Sequence, residues 1–203
     1  MIIDSSSAAR GLRSVLTHPL ALAIKRPARD LLWLVKARRV RNPPMPAQVA
    51  SMLFVCLGNI CRSPFAERLA AARRPGIRCL SAGIKTTQSA RSPTEACEAA
   101  ATRGIWLDGH RPMTLTRQMV DEYDLVIVME AGQLEQLRGL YPAAVPRLFL
   151  LPLFQSGAPR GYERYNIADP FSRPRSEYDE CYDRIDRAVA GLLTALSSGV
   201  PVA

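Results

Sequence analysis

The sequence predicts an α/β fold: a four-stranded parallel sheet flanked by helices on both faces. Three observations lead there. From Ser51 onward, short apolar runs of strand length alternate with stretches of helical pattern. Strands separated by helices pair in parallel, with right-handed crossovers. The first apolar run, MLFVCL at 52–57, lacks polar alternation, as expected of a strand buried on both faces.

The elements follow in order. Residues 52–57 form the first strand, and Ser63 to Arg74 a helix with Phe65, Ala66, Leu69 and Ala70 on one face. Ile77 to Leu80 forms the second strand, closed by a Ser-Ala-Gly turn at 81–83. Pro93 opens a helix over TEACEAAATRG, with Gly104 as its stop. Thr116 to Tyr123 is a short helix, DLVIVM at 124–129 the third strand and Leu134 to Leu140 a helix. Arg147 to Phe154 is the fourth strand. A loop rich in Gly and Pro then leads to a last helix, Glu177 to Leu196.

Residues 1–50 stand apart from the domain expected at 51–198. The net charge is +9, with 27 Lys+Arg against 18 Asp+Glu. Nine of those bases and two of the acids precede Ser51, so the basic character belongs to the extension and no nucleic-acid partner is expected. Helical stretches are expected near 11–17 and 28–40, before a proline-rich linker, NPPMPA, at 42–47. For residues 28–41 composition leaves two readings open. One is a basic amphipathic helix in peripheral contact with an anionic membrane. The other is a loosely ordered extension, or a start placed upstream of Met45 or Met52. Five cysteines, at 56, 61, 79, 97 and 181, form no disulfide framework, and no apolar run reaches the ~20 residues of a membrane span. A cytoplasmic location is expected.

The chemistry is concentrated in VCLGNICRSP, residues 55–64. A turn from the carboxyl end of a parallel strand into a helix is where such folds bind ligands. The helix start offers free N–H groups and partial positive charge, which attract anions and favour a thiolate. Arg62 adds a fork of donors matched to phosphate oxygens. Gly58 and Asn59 tolerate left-handed backbone, and Ser63 can bond the thiolate or cap the helix. Cys56 begins the spacing Cys-x5-Arg, whereas the residue six after Cys61 is Glu67. Cys56 is therefore the candidate nucleophile.

This stretch resembles the phosphate-binding loop of low-molecular-weight protein-tyrosine phosphatases, and the resemblance extends over roughly residues 51–197. It implies that Cys56 attacks phosphorus, that Arg62 binds the phosphoryl oxygens, that Ser63 steadies the thiolate and that Asn59 holds the loop. Leu57, Gly58, Asn59, Ile60, Cys61, Ser63 and Phe171 are the implied substrate contacts. It also implies that Cys61 guards Cys56 by a reversible disulfide. Asp169-Pro170-Phe171 resembles the family's general-acid loop, with Asp169 protonating the leaving phenolate and then activating water. Ser92 and His110 are implied supports of Asn59; the competing reading is a helix cap and a surface turn. There are two departures. His110 is followed by Arg111-Pro112-Met113 where the family continues with Ala-Arg, and Glu130 stands where an aspartate is usual.

No metal or cofactor is expected, because Arg62, the loop amides and the helix start supply the positive charge. The expected substrate is a phosphotyrosine protein, and the resemblance points to a membrane tyrosine autokinase of capsule or exopolysaccharide export. Three alternatives stand beside it. Protein arginine phosphatases carry threonine where this loop has Ile60. Arsenate reductases need further cysteines after the third strand, and none lies between Cys97 and Cys181. A non-catalytic phosphate-binding module has no use for Asp169. Cys79, Cys97, Cys181, Tyr178 and Tyr182 are expected to pack, Trp106 to lie in the core or the cleft wall, and Asp179, Asp183 and Asp186 to form a solvated face.

Overall fold

The computed structural model describes residues 40–157 and 159–198. The helical stretch expected at 11–17, and the one expected at 28–40 except for its last residue, lie outside the described residues. Four strands, β1 (Ser51–Cys56), β2 (Arg78–Gly83), β3 (Leu125–Val128) and β4 (Leu148–Leu150), form one parallel sheet in the order β2-β1-β3-β4. Among the described residues five α-helices surround it: α1 (Arg62–Arg73), α2 (Thr94–Ala101), α3 (Arg117–Glu122), α4 (Ala131–Leu140) and α5 (Arg175–Ser198).

The pleat of the central strand divides the core. Met52, Phe54 and Cys56 join a cluster with Phe65 and Leu69 of α1, Ala96 and Ala99 of α2 and Tyr182, Ile185 and Val189 of α5. Leu53 and Val55 join the opposite cluster with Val120 of α3 and Leu134 and Leu137 of α4. Burial on both faces explains the unbroken apolar runs. Among the described residues no helix is long and apolar enough to cross a membrane.

Two strand ends differ from expectation. The Ser-Ala-Gly segment is strand, because Ser81, Ala82 and Gly83 continue the register opposite Phe54, Val55 and Cys56. Pairing to the central strand overrides the turn preference of small residues. β4 is only three residues long; Pro152 has no N–H for a ladder, and Leu151–Phe154 coils into a 3₁₀ turn. Gly191 of α5 lies against that turn, where an added Cβ would stand 1.9 Å from the Phe154 carbonyl oxygen.

The segment read as a linker is packed onto the domain. Val40 is buried with the α4 side of the core, and Met45 and Val49 pack against the other side. Asn42 acts as one residue of an extra strand. Its Nδ2 donates to the Leu150 carbonyl at 3.2 Å, and its Oδ1 accepts from the Leu150 N–H at 2.7 Å. That contact covers the open edge of β4.

Candidate active site

β1 delivers Cys56 to the carboxyl edge of the sheet, and α1 begins six residues later at Arg62. The Cys56 side chain is buried among loop donors. Its Sγ accepts from the Asn59 N–H at 3.2 Å and lies 3.1 Å from Ser63 Oγ. Asn59 turns the loop with φ at 53°; Gly58 has no positive φ, so the asparagine alone makes the left-handed turn. Fully buried, Asn59 spends its whole amide on the surroundings. Nδ2 donates to Ser63 Oγ at 2.9 Å and Ser81 Oγ at 2.8 Å, while Oδ1 accepts from the Met113 N–H at 2.8 Å. His110 Nε2 lies 2.8 Å from the Asn59 carbonyl oxygen and 3.3 Å from its Oδ1. Both partners are acceptors, so Nε2 carries the proton. Burial, the largest influence, pushes the His110 imidazole below its usual range; the bond to Asn59 opposes this and Arg68 adds to it.

Arg62, 1% exposed, joins this loop to two distant ones. Nη1 donates to Glu130 and, at 3.0 Å, to the Ile167 carbonyl. Nη2 donates to Asp169 Oδ2 at 2.5 Å. Burial alone would favour loss of its proton, but Cys56, Asp169 and Glu130 outweigh that and push it above its ordinary value. The guanidinium therefore stays charged, and its buried Nε has no acceptor in the structure. A phosphoryl oxygen could supply one. This arrangement can hold a tetrahedral dianion over a thiol, with a carboxyl group alongside.

A family described as low molecular weight phosphotyrosine protein phosphatase matches residues 51–201. The chain belongs to the low-molecular-weight protein-tyrosine phosphatase family. It is thus a phosphoric monoester hydrolase of the protein-tyrosine phosphatase kind. Etp of Escherichia coli K12, a low-molecular-weight protein-tyrosine phosphatase, is 33% identical to it over 138 residues, which are 68% of this chain and 88% of Etp. The crystal structure of the tyrosine phosphatase AmsI of Erwinia amylovora superposes with a TM-score of 0.67 at 31% identity, covering 74% of this chain and 95% of that one. The arginine phosphatase YwlE of Geobacillus stearothermophilus gives 0.65 at 30% identity, covering 73% and 94%.

Within this phosphatase the sequence-derived residues fall in different places. Leu57 and Phe171 are exposed, 47% and 53%, and Gly58 and Ile60 are half-buried. Cys61 is buried, its carbonyl accepting from the Tyr182 hydroxyl at 3.3 Å. Burial, then Asp169, Cys56 and Cys181, push the Cys61 thiol far above the usual range. All five cysteines carry free thiols. Ser92 is a correction: its Oγ makes no hydrogen bond, neither to Asn59 nor as a cap of α2. Ser81 stands in the place foreseen for it and passes a bond on to Glu67 at 2.5 Å. Trp106 is 65% exposed rather than packed. Tyr182 packs as expected, its ring 4.0 Å from that of Phe65. Asp179, Asp183 and Asp186 are engaged rather than merely solvated, paired with Arg103, Arg175 and Arg73.

Proposed function

We propose that this phosphatase hydrolyses phosphotyrosine in proteins, with Cys56 as nucleophile, Arg62 as phosphoryl clamp and Asp169 as proton donor. The single observation that carries these roles is the Arg62–Asp169 bond, 2.5 Å across a separation of 107 residues, beside a thiol that already accepts a backbone N–H. In the first step the Cys56 thiolate forms a bond to phosphorus. The phosphorus–oxygen bond to tyrosine breaks, and Asp169 gives its proton to the departing phenolate. Water then attacks the phosphocysteine, losing a proton to Asp169, and inorganic phosphate leaves with the thiolate restored. Arg62 and the 57–61 amides hold the equatorial oxygens, and Ser63 returns a hydrogen bond to the thiolate.

Ile60 and the exposed Leu57 and Phe171 give the mouth of the site an apolar wall suited to an aromatic ring. That wall supports phosphotyrosine over phosphoarginine, although an arginine phosphatase shares the fold. Cys56→Ser should abolish aryl phosphate turnover, and retained turnover sinks the assignment. Phosphotyrosine and phosphoarginine peptides assayed side by side decide the substrate class.

The physiological partner in this reading is a cytoplasmic-facing tyrosine autokinase of polysaccharide export, with residues 28–41 touching the membrane beside it. The family resemblance and the basic composition of residues 1–50 support it. Pull-down with a Cys56→Ser/Asp169→Ala chain names the partner. Sedimentation with anionic liposomes, with and without residues 1–38, tests the contact, and equal partitioning counts against it. Cys61, buried beside the nucleophile, is its redox guard in the same reading, and peptide mapping after peroxide treatment tests for a Cys56–Cys61 disulfide.

A further inference from the structure

Arg184 of α5 is a buried cation with no carboxylate of the described residues in direct contact; Glu163 and Glu180 act on it only through space. It is 7% exposed and forms no ion pair among the described residues. Its donors go to backbone instead: Nη1 to the Asn166 carbonyl at 2.9 Å and Nη2 to the Glu163 carbonyl at 2.5 Å. An unpaired buried charge is costly, and an aliphatic side chain would avoid that cost. What the guanidinium provides is a two-pronged hold on one stretch of chain.

That stretch leads directly to Asp169. Asn166 Oδ1 accepts from the Ala131 N–H at 3.2 Å, and its Nδ2 donates to the Tyr162 carbonyl at 2.8 Å. The Ile167 N–H donates to the Met129 carbonyl at 2.9 Å, and the Ile167 carbonyl accepts from Arg62. Residues 166 and 167 are thus held from α5 on one side, from the β3–α4 turn on another and by the reactive guanidinium on a third. Only Ala168 separates them from Asp169.

We propose that Arg184 is a positioning residue for Asp169: by clamping the Glu163 and Asn166 carbonyls it fixes where the acid's loop departs, and so where the carboxyl group meets the leaving oxygen. The inference rests on the reading of Asp169 as proton donor. A displacement of about 1 Å in such a group can lower a rate ~100-fold. Lysine cannot replace the fork, because one ammonium does not reach two carbonyls in fixed geometry.

The test is the dependence on leaving group. Phenyl phosphate needs the proton; p-nitrophenyl phosphate needs it much less. In the full chain, Arg184→Lys and Arg184→Met should lower kcat/KM for phenyl phosphate roughly tenfold more than for p-nitrophenyl phosphate, well within the ~100-fold or more that general acids supply. In an Asp169→Ala background the same substitutions should change kcat/KM by less than about twofold, since the group being positioned is gone. Melting curves and circular dichroism report the folded fraction, and Arg184→Lys keeps the charge if Arg184→Met fails to fold. Equal losses for both substrates, or losses of the same size without Asp169, overturn this inference alone and make Arg184 a stabiliser of the fold. Undiminished phenyl phosphate turnover in Asp169→Ala overturns the acid reading, and this inference with it.

Discussion

Gly83 faces Cys56 across the sheet, and replacing it with alanine tests how tightly the anion loop is seated. Its φ is not positive, so the constraint is space rather than backbone conformation. The added Cβ would lie 2.6 Å from Thr86 Cγ2, 2.8 Å from the Leu57 carbonyl oxygen and 3.0 Å from the Asn59 nitrogen. Thr86 has some freedom to yield; the other two atoms are the backbone of the loop itself. Restoring ordinary contact requires the loop to move by roughly half an ångström. Overpacking of this kind costs about 1–3 kcal/mol. The Asn59 N–H is the donor to Cys56 Sγ, so the strain falls on the nucleophile's own support. At ~1.4 kcal/mol per factor of ten, kcat/KM for p-nitrophenyl phosphate should drop about 5- to 140-fold. Alkylation of Cys56 by iodoacetamide at pH 7 should slow in parallel, and the melting temperature should fall about 2–4 °C for each kcal/mol lost. Gly76→Ala is the control, since nothing lies within 4 Å of its Cβ position. If Gly83→Ala matches Gly76→Ala in turnover, alkylation and melting, the close seating of the loop on β2 is refuted.

Further outcomes follow from the same geometry. Gly191→Ala should lower the melting temperature despite alanine's ~1 kcal/mol helix advantage, because the Cβ meets the Phe154 carbonyl at 1.9 Å; a higher melting temperature contradicts that approach. Asn42→Ala should cost about 1–3 kcal/mol by urea titration, having exposed the Leu150 N–H and carbonyl, while turnover per folded molecule stays unchanged. The folded state holds His110 neutral, with its pKa below that of the unfolded chain. On acidification below about 6.5 the unfolded chain takes up the proton first, so stability declines by up to ~1.4 kcal/mol per pH unit from this group. His110→Gln should therefore lose less stability than the natural chain between pH 7.5 and 5.5, and parallel losses argue against the assignment.

What the sequence made legible was contiguous chemistry. Residues 56–63 lie on one turn, so their types and spacing could be read together, and Asp169 was marked by its Pro-Phe neighbours. Among the supports, the resemblance named His110, which does reach Asn59; the others were not legible, because the fold brings them in from far away. Ser81 reaches Asn59 across 22 residues, Glu130 reaches Arg62 across 68, and Arg184 reaches Asn166 across 18. Local resemblance pointed to Ser92, while strand register places Ser81 against Asn59. Pro152 carried a signal that strand length could have used, since a proline there ends the ladder. Composition marked residues 1–50 as an extension, and Asn42, with the packed Val40, Met45 and Val49, fastens the end of that stretch to the domain.

The guanidinium of Arg62 rests on two acidic side chains, Glu130 and Asp169. In the proposed mechanism the acid is a rival of the entering anion: a phosphoryl group would gain Arg62 by displacing Asp169, whose carboxyl group would then be free to turn to the leaving oxygen. Binding and arming are one exchange of partners. On that reading, removing the Asp169 side chain takes away the proton and vacates the clamp together, so Asp169→Ala should turn over aryl phosphates slowly and yet bind a phosphopeptide more tightly than the natural chain.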